Sequence, residues 1–130
     1  MLNTSLDSRG FVTLRREKSW IRWRKGAAVQ ASELAKRMKS NDAPPVIDVR
    51  SGIEFKLGHV PGAINAPTLK ILLKMAHLPK DKNTELVITC EHGPRALMAQ
   101  RLLAAYGYRN TTLLEGHMAG WKAAGLPLEK

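Results

Sequence analysis

From residue 26 onward, short apolar segments alternate with segments of helical character. The clearest pair is ELVITC (85–90), a compact apolar run, and PRALMAQRLLAAYG (94–107), which has a proline in its first turn and a glycine at its end. Consecutive strands that are separated by helices pair in parallel, because the chain must cross back over the sheet before the next strand begins. The alternation therefore predicts an α/β fold with a parallel central sheet and helices on both faces.

The remaining segments fit the same fold. Further elements are expected as a short strand turning into a helix within 27–38, strands at 45–50 and 111–116, and helices at 68–78 and 117–125. Ser32 and Thr68 are the expected N-caps. The segment 51–67 is rich in glycine and proline, and is expected to be a structured loop with at most short helical turns. Four large side chains are expected in the core: Trp121, Met75, Met98 and Met118.

The composition limits the class of protein. The chain has 130 residues, 44% of them hydrophobic, which is enough for one domain with a packed core. Cys90 is the only cysteine, so an internal disulfide and a multi-cysteine metal site are excluded, and we expect no metal or other cofactor. No segment has the apolar length of a membrane span or of a secretory signal. We therefore expect a cytoplasmic protein.

The positive charge is concentrated at the N-terminus. The whole chain carries +10, while residues 1–25 hold seven basic and two acidic residues, a net charge of +5. Trp20 and Trp23 are interleaved with basic residues there, a mixture that could contact nucleic acid, an anionic membrane or an acidic protein. Alternatively, the tryptophans pack on the domain while the charges are solvated, and a targeting peptide is a weaker option. We divide the chain into a basic extension (1–25) and a domain (26–130).

Cys90 ends a predicted strand and is followed by a glycine-containing loop and a helix. Ligands of open α/β sheets bind beyond the carboxyl ends of the strands. A loop that leads from strand to helix turns its backbone N–H groups toward a common hollow, which favours an anion and hence the thiolate form of a cysteine. Gly93 permits positive φ, and Arg95 adds positive charge. The alternative is that Cys90 is a small apolar residue in the core.

Other polar residues near the predicted strand ends have more ordinary interpretations. Asp48 and Arg50 are expected to form an ion pair or to brace a loop. His59 is expected to organise its loop by hydrogen bonding. His92 lies in the cysteine loop, where it could either tune the thiolate or donate to substrate.

Three sequence blocks, in this order, resemble the rhodanese-like domains. Those domains commonly carry D-V-R, E-F and G-H-I-P-G-A-I-N, an active-site loop C-x-x-G-x-R, and a glycine-rich turn followed by a tryptophan and A-G-L-P. The corresponding blocks here are DVRSGIEFKLGHVPGAIN (48–65), CEHGPR (90–95) and LLEGHMAGWKAAGLP (113–127). The resemblance covers about residues 26–130, and it implies a rhodanese-like fold.

The resemblance also implies a sulfurtransferase of the thiosulfate:cyanide class. Cys90 would carry sulfane sulfur as a persulfide, taken from thiosulfate or a persulfide and passed to cyanide, a thiol or a protein. The residues that would line its substrate-binding loop are Glu91, His92, Gly93, Pro94 and Arg95. An alternative within the family is a binding or sulfur-relay module with little turnover on small donors. The sequence predicts no oligomeric state.

Three features of the loop bear on the substrate. Cysteine phosphatases use C-x5-R, whereas the spacing from Cys90 to Arg95 is C-x4-R, so phosphatase activity is the weaker alternative. Pro94 has no N–H, and Ala96 stands where many family members have a hydroxyl residue. Glu91 stands where some thiosulfate-using members have a basic residue, and its carboxylate should repel a dianion. These departures favour a protein persulfide or another donor of low charge.

Overall fold

The computed structural model describes residues 28–130, which form five strands and five helices. The strands are β1 (Ala28–Val29), β2 (Val46–Asp48), β3 (Ile64–Asn65), β4 (Leu86–Thr89) and β5 (Thr111–Leu114). The helices are α1 (Ala31–Lys39), α2 (Gly52–Lys56), α3 (Thr68–Leu72), α4 (Pro94–Ala105) and α5 (His117–Ala123). The expected basic extension, residues 1–25, and its boundary at residue 26 lie outside the described residues.

The five strands form one sheet in the order β1-β5-β4-β2-β3, and every neighbouring pair is parallel. The central strand, β4, is buried along its whole length, because helices cover the sheet on both sides. The parallel sheet flanked by helices is thus confirmed. None of the helices formed by residues 28–130 has the length and apolar character needed to cross a membrane.

The core is divided by the sheet into two layers. One layer packs α3 and α4 against the sheet, and its buried members include Ile71, Ile88, Ala96 and Leu103. The other packs α1 and α5 against the opposite face, with these buried members: Val29, Leu34, Val46, Val60, Val87, Leu114, Met118 and Trp121. Alternate residues of β4 therefore serve opposite layers, as the pleat of a strand requires.

Several predicted details are wrong. The N-cap of α1 is Gln30 rather than Ser32, and that of α3 is Pro67 rather than Thr68, whose hydroxyl is buried without a hydrogen-bond partner. Met118 is buried as expected, but Met75 and Met98 are 62% and 55% exposed.

The α3 helix is much shorter than the predicted helix over 68–78. It ends at Leu72, and Lys74 adopts the left-handed conformation with φ 58°, which returns the N–H of Met75 to the carbonyl of Lys70. The apolar residues after Lys74 are therefore not part of a helix and do not lie on one face of it. Ala76 and Leu78 still pack on the core, but from irregular chain.

The segment 51–67 contains more structure than predicted. It holds the strand β3 as well as α2, which begins with a capping box between Ser51 and Glu54. The Ser51 hydroxyl accepts from the N–H of Glu54 (3.2 Å), and the Glu54 carboxylate accepts from the N–H of Ser51 (3.0 Å). His59 organises the following turn as expected, since its Nδ1 lies 2.7 Å from the carbonyl oxygen of Phe55.

Candidate active site

Cys90 lies directly after β4, at the carboxyl edge of the sheet. It is only 1% exposed, and its Sγ accepts hydrogen bonds from the N–H groups of Gly93 (3.0 Å) and Ala96 (3.4 Å). Two amides of the loop and of the first turn of α4 thus point at the sulfur, in the directions that a thiolate would accept. The sulfur sits where α/β sheets hold their ligands.

Gly93 is required at its position for two reasons. Its φ of 133° is one that residues with a Cβ rarely adopt, and a Cβ built there would lie 3.3 Å from Nε2 of His117. The next residue, Pro94, is the first residue of α4, where its fixed φ suits the helix and its missing N–H leaves no helical bond unmade. Because Gly93 makes the turn and Pro94 begins the helix, the N–H of Ala96, in the first turn of α4, reaches hydrogen-bond distance of the sulfur.

The N-terminal end of α5 holds the cysteine loop through hydrogen bonds to its backbone. The N–H of Met118 donates to the carbonyl of Cys90 (2.9 Å), and the N–H of Ala119 donates to that of Glu91 (3.1 Å). The N–H of Cys90 in turn donates to Nδ1 of His117 (3.3 Å). Burial lowers the pKa of His117, and the charge of nearby His92 lowers it further. The loop is therefore fixed to α5 by contacts of its own backbone.

Arg50 connects the loop to the end of β2. It is 2% exposed, and its Nη2 donates to Asp48 Oδ2 (2.8 Å) and to the carbonyl of Gly58 (2.8 Å), while its Nη1 donates to Glu91 Oε1 (3.2 Å). Burial opposes its charge, but the bonds to Asp48 and Glu91 outweigh burial and raise the pKa of Arg50. The predicted ion pair between Asp48 and Arg50 is confirmed, and it extends to the cysteine loop.

Glu91 has a cation on each side. Its carboxylate contacts Arg50 and also Nζ of Lys122 on α5 (3.2 Å), so its negative charge at the site is compensated. The expected repulsion of a dianion by Glu91 is correspondingly reduced.

Arg95 is directed at α2 and not at the sulfur. Its two terminal nitrogens donate to the two carboxylate oxygens of Glu54 at 2.7 and 3.0 Å. The pair, together with the capping box at Ser51, lowers the pKa of Glu54 to about 2. The same bond raises the pKa of Arg95, to which the charge of Cys90 contributes. Arg95 is thus positioned by Glu54 at the start of α4, within the electrostatic reach of the cysteine.

The predicted site residues therefore fall into three groups. Cys90 and Gly93 meet at the sulfur, and Glu91 is paired with Arg50 and Lys122. The side chains of His92, Pro94 and Arg95 are exposed. Sequence reasoning missed His117, Glu54 and Lys122, together with the part that Arg50 plays in the loop. The capping pattern S-x-x-E at 51–54 could have revealed Glu54, but His117 and Lys122 carry no local signal. Within residues 28–130, no group of histidine, cysteine, aspartate and glutamate side chains has the geometry of a metal site.

Known proteins resemble this chain over the part that forms strands β2 to β5, the helices and the cysteine loop. A family model described as a rhodanese-like domain matches residues 30–124. A sulfurtransferase from Allochromatium vinosum is 29% identical over 100 residues, which cover 77% of this chain and 92% of that protein. A thiosulfate:glutathione sulfurtransferase from Saccharomyces cerevisiae is 34% identical over 103 residues, covering 69% of this chain and 74% of that protein.

Solved structures give the same result. The Alr3790 protein from Anabaena sp. superposes with a TM-score of 0.70 at 27% identity, over 78% of this chain and 81% of that chain. The human single-domain sulfurtransferase superposes with a TM-score of 0.63 at 29% identity, over 74% of this chain and 95% of that chain. The segment that matches the family model, residues 30–124, thus includes β2 to β5, the cysteine loop and the helix α5 that supports it.

Proposed function

The chain belongs to the rhodanese-like domain family, and we propose that it is a sulfurtransferase that carries sulfane sulfur as a persulfide on Cys90. The observation that carries this proposal is the pair of amides, from Gly93 and Ala96, directed at Sγ of Cys90. Relatives named sulfurtransferase and thiosulfate:glutathione sulfurtransferase support the reaction class.

In the first half-reaction, the Cys90 thiolate attacks the outer sulfur of the donor. When the donor is thiosulfate, the bond between its two sulfur atoms breaks, and sulfite leaves with the electron pair. When the donor is a persulfide, the corresponding thiolate leaves. Cys90 becomes a persulfide, Cys–S–SH, whose deprotonated outer sulfur is the anion that a hollow lined with amides holds well.

In the second half-reaction, an acceptor nucleophile attacks the outer sulfur of the persulfide. The bond between the two sulfur atoms breaks, and its electron pair returns to Sγ of Cys90. Cyanide leaves as thiocyanate, and a thiolate of a small molecule or of a protein leaves as a persulfide. The cysteine is then a thiolate again, and no cofactor takes part.

The loop residues take distinct parts in this scheme. Gly93 supplies an amide and the tight turn, and Pro94 sets the start of α4. Arg95 provides positive charge at the mouth, held in place by Glu54. Glu91 braces the loop through Arg50 and Lys122, and because those cations compensate its charge, thiosulfate stays a possible donor beside persulfides. His92 is exposed at the mouth, where it would meet the donor or the acceptor.

The test is to measure the intact mass of the protein after incubation with excess thiosulfate and, separately, with a low-molecular-weight persulfide. We expect one added sulfur atom on the wild type and none on the Cys90→Ser variant. The donor that loads the cysteine identifies the substrate class. A folded wild-type protein with a free thiol that gains sulfur from neither donor would contradict the proposal.

The second candidate function is a sulfur-relay module that docks a protein partner and turns over small donors poorly. It is favoured by two apolar residues, Ile53 of α2 and its C-cap Leu57, which are 76% and 72% exposed. The same helix contributes Glu54, which pairs with Arg95. The role of the extension is tested by measuring the rate of sulfur transfer to cyanide by the full chain and by a variant that lacks residues 1–25. Unchanged transfer with lost binding of a protein, lipid or nucleic acid would assign the extension to docking.

A further inference from the structure

His117 adopts a backbone conformation that is unfavourable for its residue type. Its φ is 52°, in the left-handed region, where a side chain with a Cβ is strained and glycine is not. Asn41 and Lys74 are the other non-glycine residues with positive φ in residues 28–130, and Lys74 is exposed. His117 differs from Lys74 in being 8% exposed and in contact with the cysteine loop. Strain at a buried position next to a reactive group indicates a function for the side chain.

The contacts of His117 define its protonation state. The N–H of Cys90 can only donate, so Nδ1, 3.3 Å away, must be the unprotonated acceptor, and in the neutral ring the proton lies on Nε2. Nε2 faces Gly93, where an added Cβ would lie 3.3 Å from it. A positively charged ring could not accept this bond. The lowering of the His117 pKa by burial agrees with a neutral ring.

The bond to Cys90 satisfies a group that the sheet leaves unpaired. Cys90 is one residue beyond the end of β4, and its buried N–H finds Nδ1 of His117 as its acceptor within residues 28–130. A buried N–H without an acceptor is costly, so the loop would shift to expose it to water. Because the N–H and Sγ belong to the same residue, such a shift would move the sulfur away from the amides of Gly93 and Ala96.

We propose that His117 is a positioning residue for sulfur transfer, whose neutral imidazole holds the amide of Cys90 and thereby keeps the sulfur under the two loop amides. This rests on the proposed function of Cys90. It assigns to the strained residue a role that glycine could not take, since glycine adopts the same φ but offers no acceptor.

The test compares three substitutions that separate the acceptor from the strain. His117→Asn keeps an acceptor near the position of Nδ1 and tolerates left-handed φ, as Asn41 does at φ 55°. His117→Gly removes both the acceptor and the strain. His117→Leu removes the acceptor and keeps the strain. Lys74→Gly is the matched control, since it relieves the same kind of strain at an exposed position remote from Cys90 in the sequence.

The readouts are the rate at which sulfur loads onto Cys90 and the hydrogen exchange of the Cys90 amide. We expect the Gly and Leu variants to load at least about fivefold more slowly and to lose protection of that amide about tenfold. For the Asn variant, the loading rate and the exchange rate of the Cys90 amide should both stay within about threefold of the wild type. The Lys74→Gly control should match the wild type in both rates.

Two results would overturn the proposal. One is a folded Gly variant that loads sulfur at the wild-type rate, and the other is an Asn variant that loads no faster than the Leu variant. If the Gly variant does not fold, comparing the loading rates of the Asn and Leu variants still tests whether the acceptor at residue 117 is needed. If the wild type itself takes up no sulfur, the proposed function fails, while the exchange of the Cys90 amide still tests the contact with His117.

Discussion

The ion pair at the end of β2 gives the sharpest prediction of stability. Asp48 is fully buried and Arg50 is 2% exposed, and their side chains share a direct bond of 2.8 Å. We consider Asp48→Asn and Arg50→Met, which preserve the approximate shape of each side chain, and the double variant. Each single change leaves one buried charge without its principal partner, whereas the double change leaves neither charge.

The magnitudes follow from the remaining contacts. In Asp48→Asn the guanidinium keeps Glu91, which is 25% exposed, and the carbonyl of Gly58, so we expect a loss near the lower end of the usual 3–5 kcal/mol, about 3 kcal/mol. In Arg50→Met the Asp48 carboxylate keeps, among residues 28–130, only the N–H of residue 50, so the loss should be about 4 kcal/mol. The double variant buries no unpaired charge and should lose about 2 kcal/mol.

The assay is urea unfolding of the wild type and the three variants, which yields a double-mutant cycle. The two single losses add up to about 7 kcal/mol, so a double loss of about 2 kcal/mol gives a coupling of about 5 kcal/mol. Losses that add within about 0.5 kcal/mol would refute the reasoning, because independent sites behave in that way. Glu91→Gln is a suitable control, since it removes a partner that is partly exposed and should cost about 1 kcal/mol.

Three further predictions concern single residues. Gly93→Ala should lose about 1–3 kcal/mol of unfolding free energy and slow sulfur loading, because its φ of 133° is strained for alanine and the new Cβ meets His117; unfolding and intact-mass kinetics check this. Glu54→Gln should cost about 1 kcal/mol at neutral pH, since the carboxylate paired with Arg95 is 35% exposed. The pKa of Glu54 is lowered to about 2, so that stabilisation is present above its ordinary pKa and is lost as pH falls toward 2; the difference in unfolding free energy between wild type and Glu54→Gln should narrow below pH 4.5. Trp121→Ala should lose about 3–5 kcal/mol by thermal or urea unfolding, because the buried indole leaves a cavity and its bond to the carbonyl of Pro127 is lost.

Sequence patterns predicted the parts of the fold that have a regular period or a distinctive end. The segment 85–90 was recognisable as a buried strand, and Pro94 and Gly107 bounded the longest helix within one or two residues. The strand β3 was missed, since two residues carry no periodicity and the strand forms only by pairing with β2. The 68–78 helix was overestimated because consecutive leucines fit any helical face, so the pattern could not show where α3 ends.

Only those site residues that are close together in the sequence were predictable. Cys90, Gly93 and Arg95 lie within six residues, so their spacing alone predicted the loop. Lys122 and His117 reach the same loop from α5, and Glu54 reaches it from α2, after separations of 27 or more residues. Such contacts depend on which helices border the carboxyl edge, and that depends on the order of the strands in the sheet.

The balance of charge around Cys90 bears on how the site selects its reaction. Three carboxylates and three cations pair with one another around the loop: Asp48, Glu54, Glu91, Arg50, Arg95 and Lys122. Their formal charges sum to zero, and the groups that donate hydrogen bonds to the sulfur itself are the backbone amides of Gly93 and Ala96. Because hydrogen bonds act only at short range, these two amides stabilise a sulfur anion at Cys90 more than an anion that lies outside their reach. The discrimination between donors then depends on access to a thiol that is 1% exposed. Ile53 is the exposed apolar neighbour in sequence of Glu54, which pairs with Arg95, so it should matter more for a protein donor than for thiosulfate.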